Sequence, residues 1–395
     1  MPTYWLTGLK LKLKILQNLP AEVFSSAVVF AKAQAKAGVI KIYGGLIVLG
    51  LGLALLACDG LVAGSFYVPL KKIKNWAWES GWLINAIVGY MIVPWLYAYI
   101  IIPNLKGVFG QAPSKIVLLC FAFGALWGIG GLTFGLAVRF LGVSLGYAIA
   151  FGFCAAFGTL IPPMCFGTFG ELLTKLSGQV TLAGVFVCVL GIGVCAWAGT
   201  SKDKELSAEA KKKNAAEFNF TKGLMAAFSA GLMIACMALS IAFGKPIANI
   251  ALQNGASPIW QHCPTIAITC AGGFITNLLW CAFLNVKNST WKNYTNISNP
   301  AVFLNYLFAA IAGLMWYVQM MLYGMGVAYM GKYAYAGWTV RMAFIVIFSN
   351  MWGLIYREWA GCSRKTHLII AGGLAIVMLS VFFIGTGGYI ASGGK

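Results

Sequence analysis

Long apolar runs and short polar stretches alternate along this chain. A helix needs about 20 mostly apolar residues to cross the hydrocarbon core of a bilayer. Ten runs reach that length, at 44–66, 82–103, 116–138, 143–165, 179–199, 223–244, 264–286, 301–329, 333–355 and 367–390. Because backbone polar groups must be paired inside lipid, these runs predict membrane-spanning α-helices. They lack the ten-residue alternating strands of a transmembrane barrel.

The composition supports a membrane protein and excludes an ordinary soluble domain. Of the 395 residues, 60% are hydrophobic and only 9% are charged, whereas soluble domains carry about a quarter charged residues. The net charge of +19 raises the question of nucleic-acid binding. The basic residues lie in short clusters between apolar runs, however, which is typical of membrane loops touching lipid headgroups. We therefore predict an all-α polytopic membrane protein that binds no nucleic acid.

A polar insert at 201–222 divides the ten runs into five and five. Since five is odd, two related halves would have opposite topology. Segment 124–142 aligns without a gap on 313–331, with matching glycines, valines and tryptophans. The sequence thus predicts a five-plus-five inverted repeat, with halves at 43–200 and 223–395.

The basic residues also predict an orientation. Loops after odd-numbered runs hold fifteen Lys and Arg, and loops after even-numbered runs hold five. The positive-inside rule then places the 201–222 linker in the cytoplasm and both ends of the ten-helix core outside it. Residues 1–42, with an apolar run too short to span, are either a surface helix or an overextended start.

The cysteines and histidines give no sign of a metal site. The eleven cysteines are odd in number, form no C-x-x-C pair and lie mostly in apolar runs, where a thiol behaves as a small hydrophobe. The two histidines lie near the ends of runs. We expect no disulfide framework, no metal and no cofactor.

Two charges, Asp59 and Arg341, lie well inside apolar runs. A central charge costs from about 3 to over 10 kcal/mol in a bilayer, so the pair is a candidate for ion or proton coupling. A hydrogen-bonded structural aspartate is the alternative. Both runs are odd-numbered and parallel, and their centres place the two residues roughly 10 Å apart in depth. The long arginine side chain and helix tilt could close this gap, and a bridge by water or by the substrate is the alternative.

Six strings resemble the bacterial L-rhamnose–proton symporter family, within the ten-span drug/metabolite transporter superfamily. They are FYVPLKKIKNWAWE (66–79), GALWGIGGLTFGLAVRFLGVSLG (124–146), GTLIPP (158–163), EFNFTKGL (217–224), GLMWYVQMMLYGMG (313–326) and REWAG (357–361). The resemblance runs in order from about residue 60 to the end. It implies a carrier in a bacterial inner membrane that takes up L-rhamnose or a related deoxysugar with a proton, by alternating access.

The chain departs from that family's pattern at three places. The family's ninth span opens with tyrosine–acid–tyrosine and carries a histidine three residues after a tryptophan. Here those positions read Tyr333-Ala334-Tyr335, and Arg341 follows Trp338. Asp59 stands where the family usually has a small residue. These departures fall where a carrier binds substrate or moves protons, so substrate and coupling ion need independent support.

Sugar recognition needs flat apolar faces and polar groups for hydroxyls. In the eighth run, positions 316, 319, 320 and 323 recur on one helical face. The candidate substrate-binding residues are Trp127, Asn277, Trp316, Tyr317, Gln319, Tyr323, Trp338 and Asn350. The alternative for the aromatic residues is packing or interfacial anchoring. Gln319 is the stronger candidate, because a mid-span amide facing lipid would leave its polar groups unpaired.

Three other functions remain open from the sequence. The same superfamily contains exporters of amino acids and other metabolites, and a membrane sugar sensor would have similar residues. A membrane-embedded enzyme would need clustered catalytic groups, and a single in-span acid without an in-span histidine argues against one. The sequence gives no indication of oligomeric state.

Overall fold

The computed structural model describes residues 38–165, 167, 169–205, 219–296, 300–330 and 337–391. These residues are almost entirely helical and contain no strand. Within them, nine helices are long and apolar enough to cross a membrane, and Val340–Ile355 is a shorter apolar helix. The predicted all-α membrane architecture is confirmed. Ten crossings, as predicted, require that the shorter helix also spans.

Ten helices, α1 to α10, follow the ten apolar runs in order. They are α1 Gly38–Ser65, α2 Trp78–Ile101, α3 Ser114–Leu141, α4 Val143–Cys165, α5 Leu176–Glu205, α6 Phe220–Phe243, α7 Cys263–Lys287, α8 Val302–Met330, α9 Gly337–Ile355 and α10 Arg364–Ala391. A short helix, Tyr67–Lys71, continues α1. The predictions for most of the N-terminal tail and for most of the linker lie outside the described residues.

Local sequence signals set several helix ends. Gly142, with φ of 88°, separates α3 from α4 in a backbone conformation that glycine adopts without steric cost. The side chain of Asn219 accepts a hydrogen bond of 3.0 Å from the backbone N–H of Lys222, which caps the start of α6. Pro264 lies in the first turn of α7, where its missing N–H costs nothing.

A π-helical turn interrupts α2 at Ile87–Ile92. Gly89, within this turn, lies directly against α8: a Cβ on it would be 2.8 Å from the backbone oxygen of Gly313. Two glycines therefore let the backbones of α2 and α8 approach closely. Such π-turns occur frequently at functional sites, and this one positions Tyr90 at the centre of the bundle.

The helix pairings relate the two halves of the chain. Helix α1 packs on α8 and α9, and α6, five places later, packs on α3 and α4. Helix α2 packs on α8, and α7 packs on α3; the pairs α4–α9 and α5–α10 join equivalent helices. Each of these contacts thus has a counterpart with the halves exchanged, which is compatible with the predicted inverted repeat.

Helices α1 and α9 cross at a point where α1 has two glycines. A Cβ on Gly60 would lie 2.2 Å from the Cβ of Phe344, and one on Gly64 would lie 3.0 Å from the backbone nitrogen of Ser349. No larger side chain fits at Gly60 without moving the helices apart. Asp59 immediately precedes this crossing.

The buried carboxylate of Glu358, in the REWAG string, joins the ends of three helices. It accepts hydrogen bonds from the backbone N–H groups of Val143 and Ser144, at 2.9 and 3.0 Å, and lies 3.0 Å from the Lys71 ammonium. Negative charge is favoured at a helix N-terminus, here that of α4. Glu358 therefore connects the end of α9 to the start of α4 and to the basic cluster after α1.

Gly60→Ala should destabilise the protein, because the added methyl would overlap Phe344. Overpacking of this kind costs about 1–3 kcal/mol, measurable as a lower unfolding temperature in detergent. Gly50→Ala on the same helix is the matched control, because a Cβ there meets nothing within 4 Å. Equal unfolding temperatures for the two variants would contradict the close α1–α9 crossing.

Candidate functional site

The two intramembrane charges form a direct ion pair. Arg341 Nε lies 2.9 Å from Asp59 Oδ2, and the side chains are only 3% and 0% exposed. Removing either partner from such a buried pair leaves an uncompensated charge, whereas the pair together is tolerated. The pair connects α1 with α9, and therefore one half of the chain with the other.

The predicted separation of roughly 10 Å in depth is wrong. It assumed that both apolar runs are centred at the same depth, whereas the glycine crossing sets a different register. Gly60 lies opposite Phe344, with Asp59 one residue before the former and Arg341 three before the latter. The offset is then two residues, or about 3 Å, which an arginine side chain easily spans.

Two residues of α8 hold the Arg341 guanidinium. Its Nη2 donates a hydrogen bond of 2.7 Å to Gln319 Oε1, and its central carbon lies 4.9 Å from the centre of the Tyr323 ring, a cation–π distance. Asp59 Oδ1, by contrast, has no hydrogen-bond partner among the described residues. Arg341 thus has contacts on α8 besides its ion pair, while Asp59 keeps an oxygen that could accept a proton.

A central cavity of about 50 Å³ borders this network, with room for water. Arg341 and Gln319 are its polar wall, and the other walls are largely aromatic and apolar. The remaining lining residues are Ala63, Phe66, Trp82, Tyr90, Trp127, Gly131, Phe134, Phe151, Ile234, Met237, Trp316, Met320 and Met342. A small polar group beside flat apolar faces is the combination that a sugar requires.

Three rings, which we call the aromatic triad, contact one another at the cavity: Tyr90, Trp127 and Trp316. Tyr90 lies 4.8 Å from Trp127 and 4.6 Å from Trp316 between ring centres, and the tryptophans are 4.9 Å apart. Glycine makes this possible, because a Cβ on Gly273 of α7 would lie 2.4 Å from the Trp127 ring.

The structure brings together some of the predicted site residues and separates others. Trp127, Trp316 and Gln319 line the cavity, and Tyr323 contacts Arg341. The residues that lie elsewhere are Asn277, Tyr317 and Asn350, and the side chain of Trp338 is outside the described residues. A substrate contact for these four stays a prediction.

Asn277 instead orients a cavity wall. Its Oδ1 accepts a 2.7 Å hydrogen bond from the Trp82 indole N–H, and its amide nitrogen donates to the backbone oxygens of Gly273 and Gly128. Asn350 donates to the backbone oxygen of Val346, one turn earlier on α9. The polar atoms of both asparagines are thus used within the fold.

Sequence reasoning missed Trp82 and Tyr90, which both line the cavity. Eight residues separate them, a spacing that returns to the same face of a helix. The search for residues that recur on one helical face, which was used for α8, would have identified both residues if it had been applied to α2. Phe66 was also missed, although it begins the first family-like string.

A buried ion pair beside an aromatic cavity, within a bundle of membrane-length helices, defines a multi-pass membrane carrier. Comparison with known proteins agrees. The family model described as L-rhamnose-proton symport protein (RhaT) matches residues 44–390. This chain belongs to that family.

Individual relatives cover most of both chains. An L-rhamnose-proton symporter of Salmonella gallinarum is 33% identical over 328 residues, which are 82% of this chain and 94% of the relative. L-rhamnose-proton symporters of Yersinia pestis and Yersinia pseudotuberculosis are 34% identical over the same shares. The resemblance found in the six strings therefore extends across the helical core.

Asn277→Leu should lower the unfolding temperature, because it leaves the Trp82 indole N–H buried without a partner, at a cost of about 1–3 kcal/mol. In a Trp82→Phe background, which lacks that donor, the same change should cost less. Thermal unfolding of the two single variants and the double variant measures this coupling. Purely additive effects would contradict the positioning role.

Proposed function

We propose that this protein takes up L-rhamnose or a related deoxysugar together with a proton, by alternating access across a bacterial inner membrane. The observation that carries the proposal is the buried Asp59–Arg341 pair at the edge of an aromatic cavity. Family membership supplies the substrate class, since the relatives are named L-rhamnose-proton symporters. Both halves of the chain contribute to the site, as rocking between two states requires.

The cavity chemistry supports a sugar rather than an apolar solute. The triad tryptophans, Trp127 and Trp316, offer flat surfaces to the C–H face and methyl group of a deoxysugar. Gln319 and Arg341 supply an amide and a guanidinium for its hydroxyl groups. No acidic residue lines the cavity within the described chain, so the site has no direct counter-charge for an amino group. This disfavours amino-acid export.

Charge balance suggests how proton and sugar uptake are coupled. Asp59 and Arg341 neutralise each other while the pair is intact. A sugar hydroxyl that bonds the guanidinium draws it away from Asp59, whose carboxylate is then an uncompensated buried charge. Binding a proton removes that charge, and release of both ligands restores the ion pair.

Exporters and sensors are the alternatives that the experiments must separate. An exporter would move the sugar outward in the same assay, and a sensor would bind it without accumulating it. The named relatives are symporters, which favours uptake over both. Accumulation of labelled L-rhamnose in proteoliposomes with an acidic exterior tests the proposal, and binding without accumulation would overturn it.

The proposed orientation follows the loop charges. The loops after odd-numbered apolar runs carry fifteen Lys and Arg, including Lys71 and Arg364, against five in the loops after even-numbered runs. The former are placed in the cytoplasm, with both ends of the ten-helix core on the periplasmic side. Glu358 and its ion pair with Lys71 then lie at the cytoplasmic ends of the helices.

Asp59→Asn should abolish accumulation driven by a pH gradient while retaining part of substrate binding and exchange, because the amide cannot take up a proton. Proteoliposome uptake and counterflow assays measure the two activities. Glu171→Gln, which alters an exposed carboxylate that forms an ion pair with Lys175, is the matched control and should behave as wild type.

The double variant Asp59→Asn/Arg341→Gln separates a folding defect from a coupling defect. It removes both charges, so it should be more stable than either single variant while still failing to accumulate substrate. Wild-type accumulation by Asp59→Asn at neutral and mildly acidic pH would instead make Asp59 a structural residue.

A cysteine at Ser207 in the linker should resist a membrane-impermeant maleimide in intact cells, on a background without other cysteines. The control is a cysteine at Ser257, an exposed position in the loop after α6, which the proposed topology makes periplasmic and therefore reactive. Rapid labelling at Ser207 with protection at Ser257 would reverse the orientation.

A further inference from the structure

The aromatic triad lies at mid-membrane depth. Tyr90, Trp127 and Trp316 each lie near the middle of their helices, Trp78–Ile101, Ser114–Leu141 and Val302–Met330. Substrate sites of inverted-repeat transporters lie at this depth, between the repeats. Trp127 and Trp316 occupy equivalent positions in the alignment of the two halves, whereas Tyr90 has no such partner in the triad. Its place there needs a separate explanation.

Tyr90 is the ring that joins the two tryptophans. Its plane is inclined by 66° to Trp127 and by 75° to Trp316, so it meets both edge-on. Only 1% of Tyr90 is exposed, yet it lines the cavity. The triad is therefore a rigid aromatic surface rather than three independent side chains.

The hydroxyl of Tyr90 makes no hydrogen bond with another residue of the part of the chain that the structure describes. Tyrosine hydroxyls in protein interiors usually find a hydrogen-bond partner. The Tyr90 hydroxyl lies beside Gly131, where a Cβ would be 3.4 Å from it, and Gly131 lines the same cavity. Since glycine presents no side chain, the space next to the hydroxyl stays open to a ligand.

We infer that Tyr90 is a specificity-determining residue: its hydroxyl hydrogen-bonds one hydroxyl group of the transported sugar while its ring fixes the two tryptophans against the sugar face. This inference rests on the proposed function. A phenol donates and accepts, so it matches a sugar hydroxyl. A site built to bond a substrate hydroxyl also rejects analogues that lack it.

The backbone of α2 explains why this position is suited to the role. The π-helical turn Ile87–Ile92 lets Gly89 lie against Gly313 of α8. Tyr90, the next residue, is thereby directed between Trp127 of α3 and Trp316 of α8. Loss of its hydroxyl would alter none of these packing contacts.

The test compares wild type with Tyr90→Phe, using uptake of L-rhamnose and of its monodeoxy analogues into proteoliposomes. For L-rhamnose, Tyr90→Phe should raise KM roughly 2- to 10-fold, the loss of one neutral hydrogen bond, with an unchanged unfolding temperature. One analogue, which lacks the partner hydroxyl, should show the same KM for both proteins. Equal KM values for that analogue would show that the Tyr90 hydroxyl interacts with the sugar hydroxyl that the analogue lacks, as in a double-mutant cycle.

The matched control is Tyr97→Phe, on the same helix. Tyr97 contacts Trp260 and Tyr317 and does not line the cavity, so KM should not change. A wild-type KM for Tyr90→Phe overturns the inference, as does an equal increase for every analogue. Failure of wild type to accumulate L-rhamnose overturns the proposed function and the inference with it. If wild type takes up L-rhamnose normally, a negative result for Tyr90→Phe overturns the Tyr90 inference alone.

Discussion

The ion pair between Asp59 and Arg341 constrains the rest of this structure. Either charge alone is costly in the centre of a membrane protein, which favours a register in which the helices that carry them meet. Gly60 provides that register, because its missing side chain lets α1 reach Phe344 on α9. The pair also fixes Gln319 through Arg341, which connects the charges to the cavity wall. The packing of α1 on α9, the pairing of the two charges and the polar wall of the cavity thus all depend on the crossing at Gly60.

The aromatic cavity also depends on helices whose backbones approach closely at glycines. On α3, the backbone near Gly124 lies against Thr269 of α7, and on α8, Gly313 lies against Gly89 of α2. These are equivalent crossings in the two halves, and each lies one turn before a tryptophan of the triad. Close backbone approach therefore brings Trp127 and Trp316 together at the centre. Small residues at helix crossings serve membrane packing generally; here they also shape the binding surface.

The sequence predicted features that depend on local composition, such as the apolar helices, better than contacts that depend on how helices pack. Hydropathy located the ten helical runs, the internal alignment paired Trp127 with Trp316, and the mid-span position of its amide pointed to Gln319. Arg341 was predicted as the partner of Asp59, but the depth offset between them was overestimated, because hydropathy locates a run and not the glycine crossing that sets its depth against a neighbour. The hydrogen bond from the Trp82 indole to Asn277 was not predicted, because a mid-span amide looks the same in a sequence whether it meets a ligand or an indole, and the substrate contact of Asn277 stays a prediction. Only the fold distinguishes these cases.

The two charges at which the sequence was expected to depart from the family pattern, Asp59 and Arg341, form one ion pair, at 2.9 Å. Either alone would leave an uncompensated buried charge, so each accounts for the presence of the other. Histidine gains and loses a proton near neutral pH, whereas arginine stays charged. In the proposed mechanism Arg341 therefore holds the sugar and balances charge, and proton exchange at this pair falls to Asp59.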